Sequence, residues 1–144
     1  MSLSEALKDE SKQGAIVGDA VKLVDEEVAA KGGISGFAVR KGYDAVKSIK
    51  PGFVQEVVKK LLPEFAGKLE PLWEEGKKGG APGRFMQDNK SRVADALLSV
   101  TDAKIDSAKS AVVRSTYSML RGSAKKNVEE AVPRLSKLVE KYDV

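Results

Sequence analysis

Apolar residues in this chain recur every three or four positions almost from end to end, and that period limits what it can fold into more than any motif does. Ile16, Val17, Ala20, Val21, Val24 and Val28 share one helical face, and Lys31 with the Gly32-Gly33 pair predicts a left-handed stop after them. A second helix is predicted from Ile34 to about Ile49, carrying Phe37, Ala38, Tyr43, Ala45 and Val46 as its apolar stripe and ending before Pro51. A third puts Phe53, Val54, Val57, Val58, Leu61 and Leu62 on one side. Pro63 has no amide proton and crowds the preceding turn, so a fourth helix is expected to start there, with Pro63 at its first position. Phe65, Leu69, Leu72 and Trp73 are its buried stripe, and Pro71 predicts a kink or a further break. The period resumes in Phe85, Met86, Val93, Leu97 and Val100, then in Val112, Val113, Tyr117 and Leu120, and last in Val128, Val132, Leu135, Leu138, Val139 and Tyr142. The β-branched residues fall at helical rather than alternating positions, so no strand is expected. The fold class is therefore all-α: one helical bundle of about seven helices over residues 1–144.

Within that pattern, two stretches read as loose copies. Val17, Asp19, Ala20, Val21 and Val24 recur as Val93, Asp95, Ala96, Leu97 and Val100; Val39, Arg40, Tyr43, Val46 and Lys47 recur as Val113, Arg114, Tyr117, Leu120 and Arg121; Leu62-Pro63-x-Phe65 recurs as Val132-Pro133-x-Leu135. The matches keep their order, and the spacing between them changes by loop-sized amounts. Residues 13–75 and 89–142 are thus read as two related helical halves packed with pseudo-two-fold symmetry, joined by Gly76-Lys-Lys-Gly-Gly-Ala-Pro-Gly83 as a mobile linker. Chance competes with this reading, because any two amphipathic helices share apolar positions.

Composition removes whole classes of chemistry. With no Cys and no His, neither a disulfide framework nor a thiolate or imidazole metal site can be built, and Ser-His-Asp and Cys-His nucleophiles are impossible. Asp88, Asp95 and Asp102 recur every seven residues, a pattern that a solvated helix face explains better than a metal site, with Asp88 or Asp102 as helix caps. The Gly-Lys pair at 76–77 lacks the Ser or Thr and the preceding strand of a phosphate loop. No enzyme activity, cofactor or metal is expected. No run approaches the ~18 apolar residues of a membrane span, and Met1 to Leu7 lacks the basic and apolar regions of a secretory signal. A soluble cytoplasmic protein is the expectation.

The formal charge of +4 is unevenly placed: 16 of the 25 Lys+Arg and 16 of the 21 Asp+Glu precede residue 104, so the whole cationic excess lies in the last quarter. Two constellations stand out, Arg40-Tyr43-Lys47 and Arg114-Tyr117-Arg121, each with an aromatic ring between two cations on one side of a helix. With Lys125 and Lys126 they are the candidate contacts for a partner or an anion. The plainer reading is that each Tyr ring closes the core edge under Arg and Lys stems. Trp73 is read as core or subunit interface.

Met1-Ser-Leu-Ser-Glu-Ala-Leu7, Pro51-Gly52, Leu61-Leu62-Pro63-Glu64-Phe65 and Ala94-Asp95-Ala96-Leu97-Leu98-x-Val100-Thr101-Asp102 together resemble a family of small uncharacterised bacterial proteins with no assigned function. The resemblance implies a bacterial cytosolic protein and transfers no site. The expected function is a non-enzymatic module that binds a protein partner or itself as a homo-oligomer. The alternative is an anion-surface binder that takes nucleic acid or acidic lipid headgroups on Arg114, Arg121, Lys125, Lys126, Arg134 and Lys137.

Overall fold

Helical periodicity becomes seven α-helices in the computed structural model, with no strand among the described residues, 2–143; the two ends of the expected 1–144 domain lie outside them. The helices are α1 (Leu3–Lys8), α2 (Glu10–Ala30), α3 (Gly33–Lys47), α4 (Phe53–Lys78), α5 (Pro82–Asp88), α6 (Lys90–Lys104) and α7 (Ala111–Tyr142), with a 3-10 turn, Ile105–Ser107, after α6. The all-α bundle read from the sequence is the fold observed.

Several local expectations are corrected. Pro63 neither breaks α4 nor starts a helix, and Pro71 does not end it; both lie inside one continuous 26-residue helix. The carbonyls they leave without donors belong to Lys59 and Gly67, and all four residues are exposed, on the side of α4 where solvent can take the place of the lost bonds. Segment 76–83 is mostly helical, where a linker was expected. Gly76, Lys77 and Lys78 finish α4, Pro82 opens α5, and only residues 79–81 lie between. Gly76 and Gly83 are buried there, and Gly80 alone takes the left-handed backbone, with φ of 83°. The positive φ expected at the end of α2 sits instead at Gly33, the first residue of α3, while α2 closes on an extended Lys31. Asp88 ends α5 and Asn89 precedes α6, so neither Asp88 nor Asp102 caps a helix start. The apolar runs around Val112 and Val128 belong to one 32-residue helix, roughly 48 Å long.

The core is concentrated at one end of the bundle. Ile16 of α2, Leu62, Ala66, Leu69, Leu72 and Trp73 of α4, Met86, Val93, and Val132, Leu138 and Val139 of α7 are buried together. The short α1 closes that end with Leu3, Ala6 and Leu7, and its N-terminus is capped by the Ser2 hydroxyl on the Glu5 amide at 3.2 Å. Trp73 is core: its indole N–H donates to the Asp143 carboxylate at 2.5 Å. At the opposite end, α3 lies against the last turns of α2 and the first half of α7. There the packing is thinner, and residues 111–127 of α7 contain no buried residue.

Candidate interaction surface

The two Tyr-centred constellations act first as helix staples. Tyr43 on α3 donates its hydroxyl to Asp25 on α2 at 2.5 Å, and the Lys47 ammonium lies 5.2 Å from the centre of the Tyr43 ring. Tyr117 on α7 donates to Asp102 on α6 and shares a 2.7 Å hydrogen bond with Thr101. Arg40 donates to the carbonyl of Lys31 ahead of α3, and Arg114 to the carbonyl of Ala108 ahead of α7. Arg121 grips both oxygens of Asp102 at 2.9 Å, and Lys125 reaches Asp95 at 3.1 Å. Among the described residues, Lys126 alone of the eight candidate contacts is exposed without an ion pair, a ring contact or a bond to a carbonyl. The two constellations therefore point at different neighbours, α2 and α6, and are not gathered into one anion site. Further along α7, Arg134 pairs with Glu26 and Glu27, and Lys141 with Asp19, so much of the C-terminal cationic excess is neutralised within the molecule.

These staples leave an electrostatic signature. All three tyrosines donate to an aspartate, the third being Tyr142 to Asp19. Burial first, and the neighbouring carboxylate second, push each phenol above its usual range. Conversely, Arg121 and then Tyr117 hold Asp102 below the ordinary carboxylate range, and Lys141 and then Tyr142 do the same for Asp19. A raised phenol pKa stabilises the fold fully below the unfolded value of about 10 and is lost as pH rises through the folded value. Ultraviolet titration is therefore expected to show phenolate appearing only above pH ~10, together with loss of helical circular dichroism. Phenolate formed at the ordinary pKa with helix intact would show that the tyrosine hydroxyls do not staple the helices.

Between α2, α3 and the start of α4 lies a cleft of about 210 Å³, lined by Val21, Asp25, Tyr43, Lys47 and residues 52–55. Its cation, Lys47, leans over the Tyr43 ring, and its carboxylate, Asp25, already accepts the Tyr43 hydroxyl. No group of three or more Asp or Glu among the described residues is arranged to hold a metal ion.

The more telling surface was not singled out in the sequence. The buried positions of α3 are Gly36 and Gly42, whereas Ile34 is 92% and Phe37 56% exposed. This splits the expected stripe, leaving Tyr43 and Val46 half-buried on the glycine side and Phe37 and Ala45 exposed, for a steric reason. A Cβ on Gly36 would lie 2.6 Å from the backbone of Lys31, and one on Gly42 would lie 2.8 Å from Thr116 Cγ2 and 3.2 Å from Leu120 Cδ1. Only the glycine side fits against α2 and α7, so the side with Ile34, Phe37 and Lys41 is turned out. Met119 and Val112 are exposed on α7, which runs antiparallel to α3: Lys31 reaches Glu130 at 2.6 Å, while Gly42 sits over Thr116 and Leu120. Met119 borders the seam, its Cε 3.9 Å from the Cβ position of Gly42. Residues 112, 116, 119, 123 and 126 follow one side of α7, and 34, 37, 41 and 45 one side of α3. In an antiparallel pair, equal turns away from the contact bring both rows to the same side of the seam. Glycines at positions 36 and 42 with bulky residues between them were the available signal.

A family model described as a family of unknown function (DUF6918) matches residues 3–143. No curated protein and no solved structure matches the chain.

Proposed function

Because the chain belongs to this family of unknown function, DUF6918, its role has to be read from its own surface, and we propose that it is a non-enzymatic docking module that seats a second protein on the outward face of α3 and α7. One observation carries this reading: α3 buries its glycines and turns Ile34 and Phe37 to solvent. An ordinary surface helix does the reverse, and contiguous exposed apolar residues mark interaction surfaces. The fold contributes a stiff platform, since the staples from Tyr43, Tyr117, Arg121 and Lys125 fix α3 and α7 to their neighbours. No helix among the described residues is long and apolar enough to cross a membrane. We take the chain to be a bacterial cytosolic protein, as its resemblance implies.

The internal duplication belongs to the same proposal. Its matched segments fall on α2 and α6, on α3 and the start of α7, and on α4 and the end of α7. Support comes from contacts at matched positions. Arg40 and Arg114 each donate to the carbonyl of a residue in the preceding connection, and Asp25 and Thr101, which bond Tyr43 and Tyr117, occupy corresponding places. Where the first half breaks between α3 and α4, the second runs on as one helix, α7.

Photo-crosslinking from position 37 or 119 in living source cells tests the docking face, with position 68 on α4 as the control. Discrete adducts from 37 and 119, absent from 68, are expected. An adduct of twice the chain's mass would identify the partner as a second copy; equal or absent labelling at all three positions would sink the proposal.

A further inference from the structure

We infer that the occupant of this face is a single amphipathic helix of a partner protein with acidic residues flanking its apolar stripe, laid along the seam between α3 and α7. The inference rests on the docking reading above and adds the partner's chemistry to it. Three observations lead there.

The first is shape. The seam is bounded by Ile34 and Phe37 on one helix and Val112 and Met119 on the other, all exposed, with Gly42 at the line of contact. Two antiparallel helices with a residue lacking a side chain between them form a shallow groove, and a third helix fills such a groove by ridge-into-groove packing, reading it through residues three, four and seven apart.

The second is size. Fifteen residues of α3 give a seam of roughly 22 Å, and two adjacent helices a width of roughly 20 Å, so the footprint is on the order of 400 Å². A standard interface takes about 800 Å² from each partner, so this face is small for docking a whole second subunit. It suits one helix.

The third is charge. Residues 111–128 of α7 contain no Asp or Glu, and α3 contains only Asp44, while the two segments together hold Arg40, Lys41, Lys47, Arg114, Arg121, Lys125 and Lys126. Arg121 and Lys125 are turned to α6 and paired there. Lys41 and Lys126 remain exposed on the outward face; Lys41 lies 5.4 Å from the Phe37 ring centre, and Glu130, the carboxylate one turn beyond Lys126, is held by Lys31 at 2.6 Å. Apolar anchors beside two exposed ammonium groups complement an apolar stripe with Asp or Glu at its flanks. The four apolar side chains, and the inward pairing of Arg121 and Lys125, favour protein over nucleic acid, whose grip depends on several free cations along phosphates.

Selection of helix-forming peptides of about 18 residues from a displayed library, with the full-length protein as target, tests this. The recovered peptides are expected to carry Leu, Ile or Phe at helical spacing and a net negative charge. Phe37→Ser and the Lys41→Glu/Lys126→Glu pair are each expected to weaken them at least tenfold, and rising salt to weaken them further. Peptides that depend on Phe37 but are neutral or basic would overturn the acidic partner and leave the docking face standing. Peptides indifferent to Phe37→Ser and Met119→Ser, or no peptides at all, would overturn both. A single-stranded oligonucleotide that displaces the peptides and is itself lost with Lys41→Glu/Lys126→Glu would reassign the face to nucleic acid.

Discussion

Gly76→Ala is expected to destabilise the fold by about 3 kcal/mol, while Gly67→Ala, nine residues earlier on the same helix, stabilises it by about 0.5–1 kcal/mol. The chemistry is identical and the surroundings decide the sign. Both glycines are helical, so alanine should lower the entropy of the unfolded chain and strengthen α4 at either place. At Gly67, a new Cβ meets nothing within 4 Å, and the gain is kept. At Gly76, it meets Phe85 Cβ and the Pro82 backbone, each at 2.8 Å. Neither can swing aside as the tip of a long side chain would. Pro82 begins α5, and Phe85 packs against the core on which Met86 of the same short helix is fully buried. Relief therefore requires α5 to move as a unit. Tm is expected to fall by about 10 °C for Gly76→Ala in a domain of this length. Equal, small effects at the two positions would mean that the turn between α4 and α5 yields freely, as a linker does.

How far the sequence disclosed this fold depends on the kind of information each feature needs. Helix content was legible because the 3.6-residue period is written into nearly every segment, and Trp73 was legible as a core candidate because it falls on the stripe with Leu69 and Leu72. Pro63 misled because the cost of proline depends on which way the orphaned carbonyl faces, and only packing shows that the Lys59 side of α4 is wet. The Gly76–Gly83 run misled for a related reason. Glycine favours a flexible connection in isolation, but it is also the residue that lets two helices approach closely, and composition does not distinguish the two uses. α1 was missed although Ser2 followed by Glu5 is a capping pair.

The face of α3 shows the deepest limit. Val39, Tyr43 and Val46 form one apolar row and Ile34, Phe37, Ala38 and Ala45 another, so periodicity alone permits either to be inside. The close approach of Gly36 to Lys31 and of Gly42 to Thr116 makes the choice, and those contacts are tertiary. Of the residues singled out in advance, Arg40, Tyr43, Arg114, Tyr117, Arg121 and Lys125 chiefly hold helices together, Lys47 packs on a ring, and Lys126 stands at the rim of the exposed face.

In the proposed docking role, the large apolar residues of α3 are surplus to folding and serve a partner. Met86 supplies the reference for a residue the fold needs. It is fully buried, and replacing it by Ala removes most of a side chain from a close-packed site, at a cost of about 3 kcal/mol. Ile34 and Phe37 are of comparable size and equally apolar, and if they belonged to the core their loss would cost as much. Ser differs little from either in helix propensity, so the comparison isolates packing. Phe37 gives up its contact with Lys41, which is worth about 0.5 kcal/mol at an exposed site. Equilibrium denaturant unfolding of the double variant Ile34→Ser/Phe37→Ser, beside Met86→Ala and the parent chain, separates the two roles. The double variant is expected within about 1 kcal/mol of the parent, with unchanged denaturant dependence, and Met86→Ala lower by about 3 kcal/mol. A double variant as unstable as Met86→Ala would contradict the docking role, since Ile34 and Phe37 would then be holding the fold together.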